Sequence, residues 1–141
     1  MEYIKATKNK STDGASTKFL GYLKKAKDYT RKAWRFAEEI GFESGRADVL
    51  LLLARIEMVE GKKDEAEKKF KQAIKIFVKL KLKFELARAY HYYADALLNK
   101  IISTNQKAKA IEYLKKSKEI FEEICSKLWL EKVRHLIKKY S

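Results

Sequence analysis

Hydrophobic side chains recur at intervals of three and four residues through most of the chain, which is the spacing of one face of an α-helix. The first stripe follows Ser16, a predicted N-cap, and ends at Gly41. Its apolar members, which we predict to be buried, are Phe19, Tyr22, Leu23, Ala26, Ala33, Phe36, Ala37 and Ile40. Glycine has no Cβ to hinder a positive φ, so Gly41 is the expected left-handed cap of this helix.

Five further segments carry the same periodicity, over residues 43–60, 63–82, 84–101, 106–126 and 127–140. The helix over 43–60 is expected to stop at Gly61, and a polar stretch over 103–105 separates the helix over 84–101 from that over 106–126. No segment shows the two-residue alternation of a strand. The pattern therefore predicts an all-α fold of about six helices over residues 16–141. Residues 1–15 lack any periodic pattern, and we expect a flexible polar tail there.

The sequence also repeats itself. Segments 33–40, 73–80 and 117–124 superimpose when the chain is shifted by 40 and then by 44 residues. In the helices that follow, Ala47, Leu50, Leu53 and Ala54 correspond to Ala87, Tyr90, Tyr93 and Ala94, and then to Glu131, Arg134, Ile137 and Lys138. The last copy has lost its small residues, as expected of a terminal unit that packs on one side only.

The small and large residues of each unit follow a known order. Leu50, Leu53 and Ala54, a turn over 61–64, and then Ala66, Phe70 and Ala73 resemble the helix-turn-helix signature of the tetratricopeptide repeat (TPR) family. The second unit has Tyr90, Tyr93, Ala94, Ala110, Leu114 and Ser117 at the matching positions. The Trp, Gly and Pro of the motif are absent, and Glu57 occupies a position where an aromatic residue is usual. A period of 40–44 residues is similar to the long-helix variety of the family.

The resemblance implies antiparallel helix pairs stacked as a short right-handed superhelix, whose concave wall is lined by the first helix of each pair. It also implies a non-catalytic adaptor or scaffold that holds another protein or a peptide segment on that wall. The wall lacks the repeated Lys and Asn pattern of TPR clamps for chaperone tails, so that ligand is not expected. Carried over residue by residue, the expected partner-binding positions are Asp48, Leu51, Arg55, Met58, Arg88, His91, Tyr92, Asp95, Leu98, Asn99, Lys132, His135 and Lys139.

Charge gives an alternative function. The formal net charge is +14, and the positive residues lie mainly on the second helix of each pair and in the N-terminal segment, whereas 43–61 is net acidic. Basic side chains interleaved with Tyr29 and Trp34 suit phosphate contact and base stacking. The alternative is therefore a basic helical protein that binds nucleic acid non-specifically. The residues expected to do so are Lys24, Lys25, Lys27, Arg31, Lys32 and Arg35.

No grouping of residues suggests catalysis, a cofactor or a metal. The five glycines are scattered, the chain has a single cysteine, and adjacent glutamates such as Glu38 and Glu39 point to different sides of a helix. Arg88 and His91 are three residues apart, which is too close for the Arg and His spacing of helical nucleases of the HEPN type. His91 and His135 lie 44 residues apart, at the same position of successive units. They could form a polar row on one surface, but two imidazoles alone make a poor metal site.

The remaining features concern location and assembly. There is no signal peptide and no apolar run near the roughly 20 residues that a membrane span needs. With Cys125 as the single cysteine, no internal disulfide can form, so we expect a cytoplasmic protein without a membrane partner. The absence of proline and the excess of Lys over Arg favour a thermophilic source. Apolar residues at 101–102 and 128–130 suggest a homodimer formed through an open end of the stack.

Overall fold

The computed structural model describes residues 13–99 and 103–141, and these residues form α-helices joined by short turns. The helices are α1 (Asp13–Ile40), α2 (Glu43–Val59), α3 (Lys63–Lys79), α4 (Lys83–Asn99), α5 (Thr104–Glu123) and α6 (Lys127–Tyr140). The described residues contain no strand, so the predicted all-α class and its six helices are confirmed.

Two predicted helix starts are too late. Residues 1–12 of the expected tail lie outside the described residues, but 13–15 already belong to α1, and Ser16 lies inside the helix instead of capping it. Extending an existing helix by a few residues adds one hydrogen bond per residue, which offsets the modest helix propensity of serine. At α5 the cap is Ser103, whose Oγ accepts a hydrogen bond from the backbone N–H of Gln106 at 3.2 Å. That helix therefore begins two residues before the predicted start.

Helices α1, α2, α3 and α5 end in the same way. Gly41 and Gly61 have φ of 68° and 84°, which confirms the first as a left-handed cap and the second as a helix stop. Lys81 and Cys125 take up the same conformation, with φ of 56° and 57°, although neither is glycine. At each end the next residue donates a backbone hydrogen bond five residues back, as in the Schellman motif. Helices α3 and α5 consequently end three residues earlier than predicted, at Lys79 and Glu123.

Small side chains control how the helices pack. The most extensive contacts join α2 to α3 and α4 to α5, and each remaining helix also contacts its neighbour in sequence. Helix α4 additionally contacts α2 and α6. The residues with no exposed surface at these contacts include Ala47, Ala54, Ala66, Ala73, Ala87, Ala94, Ala110 and Ser117. The Ser117 hydroxyl donates a hydrogen bond to the carbonyl of Ala87 at 2.8 Å, which ties α5 directly to the backbone of α4.

A polar group is buried where α3, α4 and α5 meet. The Tyr93 ring stacks on Phe70 with 4.8 Å between centroids, and the Tyr93 hydroxyl donates to Glu67 at 3.0 Å. The Lys109 ammonium donates to the same hydroxyl at 3.2 Å. Burial, and then the Glu67 carboxylate, raise the pKa of Tyr93 well above its ordinary value, so the phenol stays protonated. Because buried polar groups need partners, these bonds fix the relative position of the three helices.

The predicted burial of the α1 stripe is half wrong. Phe19, Leu23 and Ala37 are buried, and Ala26 is half-buried. The other four members are exposed: Tyr22, Ala33, Phe36 and Ile40. The physical reason is that α1 packs mainly against one neighbour, α2, which covers only part of its circumference. An apolar stripe identifies a packing surface but does not tell whether this chain covers it.

Replacing Ala54 or Ala94 with Leu should lower the free energy of unfolding by about 1 to 3 kcal/mol, because each position is fully buried at a close helix contact. Urea unfolding followed by circular dichroism measures the change. Ala108→Leu, on an exposed position of α5, is the matched control and should change stability by less than about 0.5 kcal/mol. Unchanged stability of both core variants would contradict the close packing of these helices.

Candidate functional site

Helices α2, α4 and α6 lie side by side, because α4 contacts both of the others. We call the side chains that meet across them the three-helix surface, and its members are Asp48, Arg55, Phe84, Arg88, His91, Tyr92, Trp129 and Lys132. These three helices are the ones that the TPR resemblance places on the concave wall. The contacts of these side chains therefore define the candidate binding site.

Two aromatic rings lie between two cations across this surface. The Arg55 guanidinium on α2 lies 3.9 Å from the ring centroid of Tyr92 on α4. The Tyr92 ring meets Trp129 on α6 edge to face, with 5.8 Å between centroids. The Lys132 ammonium then lies 4.5 Å from the Trp129 ring. Cation–π attraction holds each charge against an aromatic face. This series of side-chain contacts therefore crosses all three helices in a fixed order.

Arg88 extends this arrangement toward the first turns of α2 and α4. Its guanidinium lies 5.8 Å from the Phe84 ring and 4.0 Å from a carboxylate oxygen of Asp48 on α2. At that distance the ion pair is not a hydrogen bond, and Arg88 Nε is buried without a partner in the described part of the chain. Burial raises the pKa of Asp48, Arg88 opposes the rise, and Glu85 adds to it. A cation with an unused donor is thus held beside a weakly paired carboxylate.

His91 lies beneath the aromatic groups. It is 8% exposed, and its ring meets Trp129 edge to face at 5.5 Å. Burial, followed by the positive charges of Lys132 and Arg55, lowers the pKa of His91 to about 4. The imidazole is therefore neutral at pH 7. Its Nδ1 is buried and has no hydrogen-bond partner among the described residues.

Several predicted contact residues are not on the surface. Leu51, Met58 and Leu98 are buried in the core, so the expectation that they face a partner is wrong. Leu51 and Met58 lie three residues before and four residues after Ala54, which places all three on one side of α2. Likewise Leu98 lies four residues after Ala94 on α4. Their spacing from the packing alanines could have identified them as core residues.

The two histidines do not form a row. His91 is buried whereas His135 is exposed on α6, although they hold the same position in successive units. Leu51 occupies that position in α2 and is also buried. The corresponding position is therefore a packing site in α2 and α4. In α6 it is exposed, because no later helix of the described residues packs against it.

The structure does bring together Asp48, Arg55, Arg88, Tyr92 and Lys132 from the predicted set. Asp95 and Asn99 lie at the last turns of α4, where the Asn99 amide donates to Asp95 at 3.5 Å. Lys139 is exposed near the end of α6, with its ammonium 5.2 Å from the Tyr140 ring. These three lie toward the C-terminal ends of their helices.

Sequence analysis missed Phe84 and Trp129 as members of the surface. Trp129 had been assigned to an apolar segment for self-association, yet it is half-buried against His91, Tyr92, Phe84 and Phe121. A signal was present, because Trp129 precedes Lys132 by three residues and Phe84 precedes Arg88 by four. Helix geometry puts such pairs on one face.

The basic residues of α1 are only partly available. Lys24, Lys25 and Arg35 are exposed, and Lys32 lies 5.9 Å from the exposed Tyr29 ring. Lys27 instead forms an ion pair with Glu60, the C-cap of α2. Arg31 lies 3.5 Å from Asp28 in an exposed pair. Trp34 is half-buried with the Arg46 guanidinium 5.1 Å from its ring, so Tyr29 is the more accessible of the two aromatic residues.

No protein-family model, curated protein or solved structure matches the chain. Among the helices of the described residues, none has the length and apolar character needed to cross a bilayer. Over 17–99 and 103–141, no three His, Cys, Asp or Glu side chains come close enough together to hold a metal ion.

His91 should make stability depend on pH. Its folded-state pKa of about 4 lies below the ordinary 6.5, so the unfolded chain takes up a proton first as the pH falls. The stabilisation is present above pH 6.5 and is lost between about pH 6.5 and 4, by up to about 3 kcal/mol. Urea unfolding across this range should show the loss in the wild type but not in His91→Leu, which copies Leu51 of α2. His135→Gln should keep the wild-type decline, and parallel curves for wild type and His91→Leu would contradict the assignment.

Proposed function

We propose that the protein is a non-catalytic, TPR-like adaptor that holds a segment of another protein on the three-helix surface. In this proposal α2/α3 and α4/α5 are two stacked pairs of a right-handed superhelix, and α6 is its capping helix. The contacts of α4 with both α2 and α6 support such stacking, because they put the first helix of each unit beside the next. The proposal places the protein in the cytoplasm, where its one thiol, Cys125, would stay reduced.

The observation that carries this proposal is the ladder from Arg55 through Tyr92 and Trp129 to Lys132. Two half-exposed aromatic rings lie between two cations, on three different helices. Aromatic and Arg side chains are enriched in the energetically important centres of protein interfaces. Cations at both ends of the ladder favour a segment that carries acidic side chains next to an apolar one. Recognition of such a segment requires no catalytic group.

The test compares two double variants that lose the same charge. Arg55→Gln with Lys132→Gln removes both ends of the ladder, whereas Lys71→Gln with Lys75→Gln removes two exposed charges from α3. Each protein is immobilised and exposed to a lysate of its source organism, and the bound proteins are quantified by mass spectrometry. We expect a specific protein to be retained by the wild type and the α3 variant and reduced at least about tenfold by the ladder variant.

Equal retention of that protein by both double variants would show that the three-helix surface is not its binding site. Recovery of nucleic acid alone would favour the second candidate function. Direct titration with a synthetic peptide from the captured protein then gives the dissociation constants of the three proteins. For the assignment to stand, the ladder variant must bind this peptide more weakly than the wild type and the α3 variant.

The second candidate is non-specific binding of nucleic acid along α1. It is favoured by Tyr29, which is 70% exposed and lies among the exposed Lys25 and Lys32 side chains. An accessible ring beside cations suits base stacking with phosphate contact. The positive net charge of +14 adds a long-range attraction to polyanions.

The dependence of binding on salt concentration distinguishes this candidate from the adaptor. Phosphate contacts release counterions, so the affinity for nucleic acid falls steeply as the salt concentration rises. We expect any binding of a labelled oligonucleotide to be weak, independent of sequence and largely lost between about 50 and 200 mM salt. Fluorescence anisotropy should show its loss when Lys24, Lys25, Arg31 and Lys32 are neutralised, and its persistence when His91, Tyr92 or Asp95 is changed. Tight binding at the higher salt that disappears with Tyr92→Ala would instead place nucleic acid on the three-helix surface.

A further inference from the structure

Helix α1 presents a continuous apolar row to solvent. Tyr22, Tyr29, Phe36 and Ile40 are 45%, 70%, 61% and 57% exposed. With the half-buried Ala26 and the exposed Ala33 they follow one another at intervals of four and three residues. That alternation is the heptad spacing of a helix-packing seam. We call these six residues, Tyr22, Ala26, Tyr29, Ala33, Phe36 and Ile40, the α1 seam.

The other units of the chain cover the corresponding positions. Ala33 corresponds to Ala73 of α3 and Ser117 of α5, which have no exposed surface, whereas Ala33 is exposed. Phe36 corresponds to Ile76 and Ile120, which are half-buried. The most extensive contacts of α3 and α5 are with α2 and α4. The α1 seam therefore matches the helix-packing surfaces of α3 and α5, but no helix of the described residues buries it.

The opposite end of the stack is a poor occupant. Helix α6 forms the other end of the described helices, so a head-to-tail contact would place it on α1. Its Glu131, Arg134 and Lys138 are exposed and occupy the places where α4 has Ala87, Tyr90 and Ala94. Burying these charges against tyrosine and phenylalanine would leave them unpaired, which is costly.

The α1 seam of a second copy, in contrast, matches the first in the sizes of the side chains that face each other. In an antiparallel pair the two kinds of seam position face each other, so Ala26 meets Phe36 of the second copy, Ala33 meets Tyr29 and Tyr22 meets Ile40. Each small side chain is then opposite a large one, which is the condition for interdigitated packing. The pattern is its own complement, as a contact about a two-fold axis requires.

The same antiparallel pairing, or register, determines which charged side chains of the two copies face each other. The exposed edge of the seam carries Lys18, Lys25, Lys32 and Glu39 at seven-residue intervals. Antiparallel pairing sets Lys25 opposite Glu39 of the second copy, and this attraction occurs twice. It also sets Lys32 opposite Lys32 of the second copy, and this repulsion occurs once, at the two-fold axis.

From these observations we propose that two copies of the chain associate through the α1 seam into a closed antiparallel dimer. The contact uses none of the residues of the three-helix surface, so it is independent of the proposed adaptor function. Each chain carries a net charge of +14, and salt therefore strengthens the dimer by screening repulsion. An acidic helix from another protein bound to the same seam would weaken with salt instead.

The first experiment is sedimentation equilibrium of the full chain over a wide range of protein concentrations at low and high salt. We expect a mass of twice 16.6 kDa that persists at lower concentrations in high salt. Phe36→Glu should give a monomer with an unchanged helical spectrum, since that side chain is already exposed. Val78→Glu on α3 and Leu128→Glu on α6 replace exposed apolar residues elsewhere and should leave the dimer intact. A monomer at every concentration, or dissociation by Leu128→Glu and not by Phe36→Glu, overturns the proposal.

The second experiment tests the register by the sign of three charge changes. Lys25→Glu and Glu39→Lys should each weaken the dimer roughly three- to tenfold, because exposed pairs are individually worth little but each change alters two of them. The double variant should recover the wild-type dissociation constant. Lys32→Gln should tighten the dimer, since it removes the repulsion between the two copies of Lys32. Weakening by Lys32→Gln, or no recovery in the double variant, contradicts the antiparallel register.

Discussion

The close approach of helices at small side chains is the constraint on which the rest of the structure depends. Ala54 and Ala94 have no exposed surface, and Ser117 bonds directly to the backbone of α4. A larger side chain at any of these positions would separate the helices. The stacking of Phe70 on Tyr93 and the bonds from Tyr93 to Glu67 and Lys109 both need the helices this close. The order of the three-helix surface also follows, because α4 must touch α2 and α6 at once.

Much of the fold could be predicted because the small residues recur with the same spacing as the turns. Gly41 and Gly61 were recognisable helix ends, since glycine accepts positive φ without steric cost. Lys81 and Cys125 adopt the same conformation without that signal. The left-handed region costs a non-glycine residue about 1 to 2 kcal/mol, and the two Schellman hydrogen bonds at each turn offset part of it. Residue type alone therefore could not mark these two ends, whereas alignment with Gly41 at the repeat spacing could.

Side-chain exposure was harder to predict than helix position. The periodicity of α1 identified the right face for Leu23 and Ala37, but the same periodicity extends to Phe36 and Ile40, which no other helix of the described chain covers enough to bury. The candidate site shows the converse error, because Leu51 and Met58 were assigned to a surface that they do not reach. Both errors arise because a hydrophobic pattern gives only the angular position of each side chain around the axis of its own helix. The positions of neighbouring helices decide which of those angles faces solvent.

The way α1 is attached has a consequence for the native ensemble. Phe19 and Leu23 of α1 form a small cluster with Ile56 of α2, separate from the main core, which joins buried residues from α2 to α6. Because stability in stacked helices is roughly the sum of neighbouring interfaces, the terminal helix with the smallest cluster opens at the lowest free energy. Helix α1 can therefore detach while α2 to α6 stay folded. In native-state hydrogen exchange the molecule would contain two cooperative units, and the amide protons of α1 would exchange well before those of α4.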